Sequence, residues 1–193
     1  MLKPEIRILG FDDGPFETKT KTTTPVIGVI YRGGKFLDGI LRTDVEVDGL
    51  DSTGKLAKLI NSSRHKQQLK VVMLDGITVG GFNIIDIVQL HKNTNIPVIV
   101  FNRKHPDLTA VKNALSNFHD FDIRWKMVKN AGKIKECELD DSKKIYYQSI
   151  GMSDEDVEDT LLLSSTHGDI PEPLRVAHLI ATAIVKGESY GRA

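Results

Sequence analysis

The sequence has a single cysteine, Cys137, among 193 residues. An internal disulfide is excluded, so the fold rests on packing and hydrogen bonds, as expected in a reducing compartment. There is no excess charge either: 26 Lys and Arg balance 26 Asp and Glu. That excludes a general attraction to polyanions, and any nucleic-acid binding must come from local patches or bound cations. No apolar run approaches the roughly 20 residues of a membrane span. The opening MLKPEIRILG has no signal-peptide core, so a cytoplasmic location is expected. Internal repeats and low-complexity tracts are missing. So are the phosphate-loop and dinucleotide fingerprints: Gly33–Gly34 and Gly80–Gly81 look like turns.

What remains is an ordinary globular composition, 40% hydrophobic and 27% charged, large enough for one domain over residues 1–193 with a real core. EIRILGF reads as a first strand, ending in the polar loop DDGPFETKTKTTT. PVIGVIY and KFLDGILRTDVEVD alternate as two further strands, so the chain opens as an antiparallel meander. The period then becomes helical: Leu56, Leu59 and Ile60 share a face, with Asp51, Ser52 or Thr53 available as cap. LKVVMLDGIT and IPVIVFNRK are near-continuous apolar runs, the mark of strands covered on both faces. GFNIIDIVQLHKNTN between them is amphipathic helix, and PDLTAVKNALSNF is a helix with Pro106 in its first turn. FDIRWKMVK reads as a strand in which Trp125 packs the sheet, and KIKECELDDSKKIYYQSI as a hairpin. Two last helices follow. Ser153 caps the first, with Gly168 placed to stop it and His167 beside that end. The alternation of strand and helix implies parallel central strands with right-handed crossovers, hence an α/β fold.

Three acidic groups fall near strand ends or a helix start, where open α/β sheets bind ligands. They are Asp12 with Asp13, Asp48 with Asp51, and Asp75. Each has an ordinary alternative as turn or cap chemistry. Together they suggest a cation site, because gathered carboxylates repel one another and a divalent ion removes that cost. Mg²⁺ needs only two or three of them and keeps several waters. Such an ion assists phosphodiester hydrolysis by activating water and steadying the departing oxygen. Arg103 and Lys104, after a central strand, are placed for a phosphate, and Lys19 and Lys21 lie in the loop after the acidic pair. The six histidines show no spacing that argues for zinc. A phosphoryl-accepting receiver domain, with Asp75 as acceptor and Arg103 or Lys104 as its basic partner, shares part of this pattern. Its first strand feeds a helix, whereas here two more strands follow.

Strand, antiparallel hairpin, helix and then strand–helix–strand is the order of the ribonuclease H-like fold. ILGFDDG resembles the first-strand motif of endonuclease V, VVMLDGITVGG its second acidic strand, and IPEPLRVAHLIA its C-terminal helix. The resemblance is strongest to the archaeal branch linked to cleavage of deoxyuridine-containing DNA, endonuclease dU. It implies a ribonuclease H-like mixed sheet flanked by helices, and a Mg²⁺- or Mn²⁺-dependent endonuclease acting on DNA with deoxyuridine or hypoxanthine. The alternatives are RNA as the substrate, or a nucleic-acid-binding protein that keeps the fold without the chemistry. On this resemblance Asp12 and Asp75 are the metal carboxylates, and Asp13 assists. The family's third ligand, a Glu at the first helix, is replaced by Asp51 or Asp48. Its lysine after the next strand corresponds to Arg103 or Lys104. Its wedge motif and its histidine after the acidic strand are missing, and Met152 stands near the place of another histidine.

Overall fold

The computed structural model describes residues 4–16, 22–140 and 143–189. The chain opens with β1 (Arg7–Asp13), β2 (Thr23–Arg32) and β3 (Phe36–Glu46), an antiparallel meander. Helix α1 (Ser52–Ser62) crosses to β4 (Leu69–Asp75), which runs parallel to β1. A short hairpin, β5 (Thr78–Val79) with β6 (Asn83–Ile84), precedes α2 (Ile87–Thr94) and β7 (Val98–Asn102), the latter parallel to β4. After α3 (Leu108–Leu115) and α4 (Phe121–Asn130), β8 (Lys135–Asp140) and β9 (Lys143–Ile150) close the far side as an antiparallel pair. Helices α5 (Asp154–Ser164) and α6 (Glu172–Lys186) complete the chain's described part. The main sheet has the order β3-β2-β1-β4-β7-β9-β8, the mixed ribonuclease H-like arrangement. Because β1 feeds an antiparallel β2 and not a helix, the receiver topology is ruled out.

Strand alternation sorts the core onto the two faces of this sheet. Leu9, Phe11, Val72, Leu74 and Val100 point to the side of α1 and α2, where they pack with Leu56, Ile60 and Leu90. Ile8, Met73, Ile99 and Phe101 point to the other side, against Val157, Leu161 and Leu174 of α5 and α6. Each side chain so buried contributes roughly 1.5–3 kcal/mol. The central strands are buried on both faces, hence their continuous apolar runs. Helix α6 lies directly on β1 at Gly10: a Cβ there would sit 2.6 Å from the backbone of Pro173. Only glycine permits that approach.

Five expectations need correction. FDIRWKMVK is helix α4, not a strand. Its alternating Ile123, Trp125 and Met127 imitate a strand, but the buried residues are Arg124 and Val128, one turn apart. Trp125 therefore packs away from the main sheet, beside Ile84, Leu115 and Val128, and stacks on Phe121 with Lys112 over its ring. Pro106 lies outside its helix, because Asp107 is the N-cap and accepts from the amides of Thr109 and Ala110. Helix α2 starts only at Ile87, capped by Asp86, since Asn83–Ile84 pairs with Thr78–Val79. Helix α5 ends at Ser164, so Gly168 does not stop it. Lys19 and Lys21 lie outside the described residues.

Candidate active site

β1, β4 and β7 end side by side, and residues at or next to those ends set the site. On β1, Ile8, Gly10 and Asp12 share the face covered by α6. Asp12 is buried there, 8% exposed. Its Oδ2 lies 2.9 Å from Nδ1 of His178 on α6, and its Oδ1 accepts from the amide of Asp13 at 2.9 Å. Asp75 ends β4 on the same face, two residues beyond Met73, in register with Phe101. Burial and then the charge of Asp12 push Asp75 up to about 6, while Arg103 and His178 work in the opposite direction. The His178 ring is shifted toward its charged form, first by its hydrogen bond to Asp12, then by the charges of Asp12 and Asp75. Arg103 follows β7 at the surface, with Lys104 exposed beyond it. The strand ends thus gather Asp12, Asp75, His178 and Arg103 within electrostatic reach.

Asp13 points to the opposite face, as alternation requires. Its Oδ2 accepts from the amide of Gly80, in the turn between β5 and β6, at 2.9 Å. Burial, followed by the neighbouring charge of Asp12, pushes its carboxyl up to about 7. The two adjacent acids therefore have different surroundings but still feel one another at the strand end.

Asp48 and Asp51 are held elsewhere. Asp51 is the N-cap residue of α1 by position, yet its side chain makes no capping bond. Its carboxylate instead takes Lys55 Nζ at 2.7 Å, Asn83 Nδ2 at 2.6 Å and the amide of Glu46 at 3.2 Å. Burial opposes its charge, but these donors outweigh it and hold the group below the usual carboxylate range. Asp48 adopts a left-handed backbone, φ 56°, and its Oδ1 accepts from the amide of Phe82 at 2.8 Å. None of these bonds leads to Asp12 or Asp75.

Sequence reasoning missed His178. It stands 166 positions from Asp12, a distance no local spacing rule covers. The available signal was helical: His178 is one turn after the buried Leu174 and one turn before the buried Thr182. Among the described residues, no three His, Cys, Asp or Glu side chains close on one point as a metal cage. The donor set nevertheless fits a small hard dication. Two acids on neighbouring strand ends repel one another, and such an ion is held by one or two carboxylates with water and phosphate oxygens completing its shell.

The sequence profile of the family described as endonuclease dU matches residues 4–185. The chain belongs to the endonuclease dU family. An archaeal relative, a UPF0215 protein of Methanothermobacter thermautotrophicus, is 46% identical over the whole chain and 94% of its own length. A solved structure described as a protein of unknown function from Archaeoglobus fulgidus superposes with a TM-score of 0.84 at 37% identity, covering 94% of this chain and 99% of that one. Endonuclease V of Ciona intestinalis, solved with a DNA containing an inosine, shares the fold with a TM-score of 0.57 at 14% identity, over 90% of this chain and 83% of its own. Family membership and fold together support a nuclease. Among the described residues, no helix is long and apolar enough to cross a membrane.

Proposed function

We propose that this endonuclease dU chain is a Mg²⁺- or Mn²⁺-dependent endonuclease that cuts DNA beside a deaminated base, deoxyuridine or hypoxanthine. The observation that carries the reading is the pairing of Asp12 and Asp75 on adjacent parallel strand ends, mutually repelling, with His178 hydrogen-bonded to Asp12. Asp12 and Asp75 would hold the ion, which when bound supplies polarisation of the phosphodiester and a lowered pKa for water. His178 fixes the orientation of Asp12 and holds a proton at Nδ1 beside the reacting phosphate. Arg103 faces the same edge and neutralises phosphate charge. Asp13, on the opposite face, supports the strand end. Asp51 or Asp48 would complete the shell only by releasing Lys55 and Asn83, or Phe82.

That commitment of Asp48 and Asp51 to structural bonds favours the second reading, a nucleic-acid-binding protein without hydrolysis. One experiment separates the two. Labelled oligonucleotides carrying uracil, hypoxanthine or normal bases, as DNA and as RNA, are incubated with Mg²⁺ or Mn²⁺ and with wild-type protein or D75A. Nicking that depends on the lesion and is lost in D75A supports the enzyme. Binding without nicking in either metal sinks it.

A further inference from the structure

Arg124 is 2% exposed, and a buried guanidinium is costly unless every donor is met. Here the cost is fully offset. Nε and Nη2 grip the two carboxylate oxygens of Asp120 at 2.6 and 2.9 Å. The remaining donors leave α4 altogether: Nη2 reaches the carbonyl of Asp48 at 2.7 Å, and Nη1 those of Gly49 at 3.1 Å and Phe82 at 2.6 Å. One side chain thus staples together two loops far apart in sequence, the β3–α1 connection and the β5–β6 hairpin.

Those loops lead to the acidic strand end. The amide of Asp48 donates to the carbonyl of Gly80 at 2.8 Å, and the amide of Gly80 donates to Asp13 Oδ2 at 2.9 Å. Gly80 has φ 55° and Asp48 φ 56°, so both turns occupy left-handed backbone. Asp tolerates this conformation, and here Asp48 is held in it by its bonds to Gly80 and Phe82. A planar, five-donor guanidinium suits three divergent carbonyls; an ammonium does not. We propose that Arg124, oriented by Asp120, is a positioning residue that fixes the Gly80 turn, and through it Asp13, at the edge of the cation-binding carboxylates. The inference rests on the proposed metal site, but the clamp itself is testable without activity.

The test compares wild type with R124M, R124K and D120N by amide hydrogen exchange and by Mn²⁺ titration followed by electron paramagnetic resonance. Replacing Arg124 should speed exchange at the amides of Gly80 and Phe82 by at least about tenfold while β4 and β7 stay protected. It should also weaken Mn²⁺ binding by about threefold or more, because the strand end that carries Asp12 loses the support of Asp13 and the Gly80 turn. R124K should behave like R124M, because retained charge does not replace the fork. D120N, which leaves the guanidinium in place, should give a smaller change in the same direction, and it decides the question if the Arg124 variants do not fold. Exchange within twofold of wild type in every folded variant overturns the clamp. Faster exchange with unchanged Mn²⁺ affinity overturns its link to the carboxylates. If wild type itself binds no Mn²⁺, the metal reading fails, and the exchange data alone decide whether Arg124 fixes the turn.

Discussion

Replacing Asp13 by asparagine should stabilise the metal-free protein at pH 8 by about 2 kcal/mol, an unusual gain from altering a residue beside a candidate active site. The magnitude follows from its surroundings. Its carboxyl is moved from 3.8 to about 7, mainly by burial and then by Asp12. At about 1.4 kcal/mol per tenfold change, ionising it in the folded state costs at most about 4 kcal/mol. Part of that cost belongs jointly to Asp12 and Asp75, and water at the strand end screens more, so roughly half is expected. The direction with pH is fixed by proton counting. Between about pH 4 and 7 the folded protein keeps a proton that the unfolded chain has lost, so stability falls as pH rises through this window. Below it the group contributes nothing, and above it the full penalty applies. D13N should keep the hydrogen bond from Gly80, because its amide oxygen still accepts. Urea unfolding with a chelator present, at pH 5 and pH 8, measures the difference. D13N should exceed wild type at pH 8, the gap should shrink to less than half of that at pH 5 and close only near pH 4 or below, and millimolar Mg²⁺ at pH 8 should recover part of the wild-type deficit. A difference independent of pH, or a D13N protein less stable at pH 8, would refute the reasoning.

G10A should lose about 2 kcal/mol or more in urea unfolding, because the added Cβ would meet Pro173 and the backbone of Leu174, which cannot swing aside as a flexible side chain would. R103A should weaken binding to any DNA and lower the slope of log affinity against log salt by about 1, as loss of one phosphate contact does. D107A should cost about 1 kcal/mol by removing the double cap of α3, with little change in binding or nicking. H178Q should reduce nicking at pH 7 much more than it reduces oligonucleotide binding, measured by gel shift beside the cleavage assay.

The sheet was readable in the sequence because its strands obey simple periods. The runs around Val71–Leu74 and Val98–Phe101 are buried on both sides and look it. That Asp12 and Asp75 lie at one edge of the sheet was readable because each stands at or one residue before the end of such a strand. α4 was not: alternating Ile123, Trp125 and Met127 satisfy a period of two, while Arg124, its most buried residue, is charged and explained only by carbonyls from two distant loops. The fate of Asp51 was hidden for the same reason, since Asn83 and the amide of Glu46 reach it through tertiary structure. His178 was hidden by separation along the chain.

The contact between His178 and Asp12 also has a consequence for biosynthesis. All the acids at the strand ends emerge from the ribosome before residue 76, whereas their histidine neighbour arrives about a hundred residues later. During that interval a nascent sheet would hold repelling carboxylates with no imidazole to steady Asp12 and no α6 lying on Gly10. Completion of α6 therefore covers the second face of the sheet and brings the imidazole to Asp12 in one step.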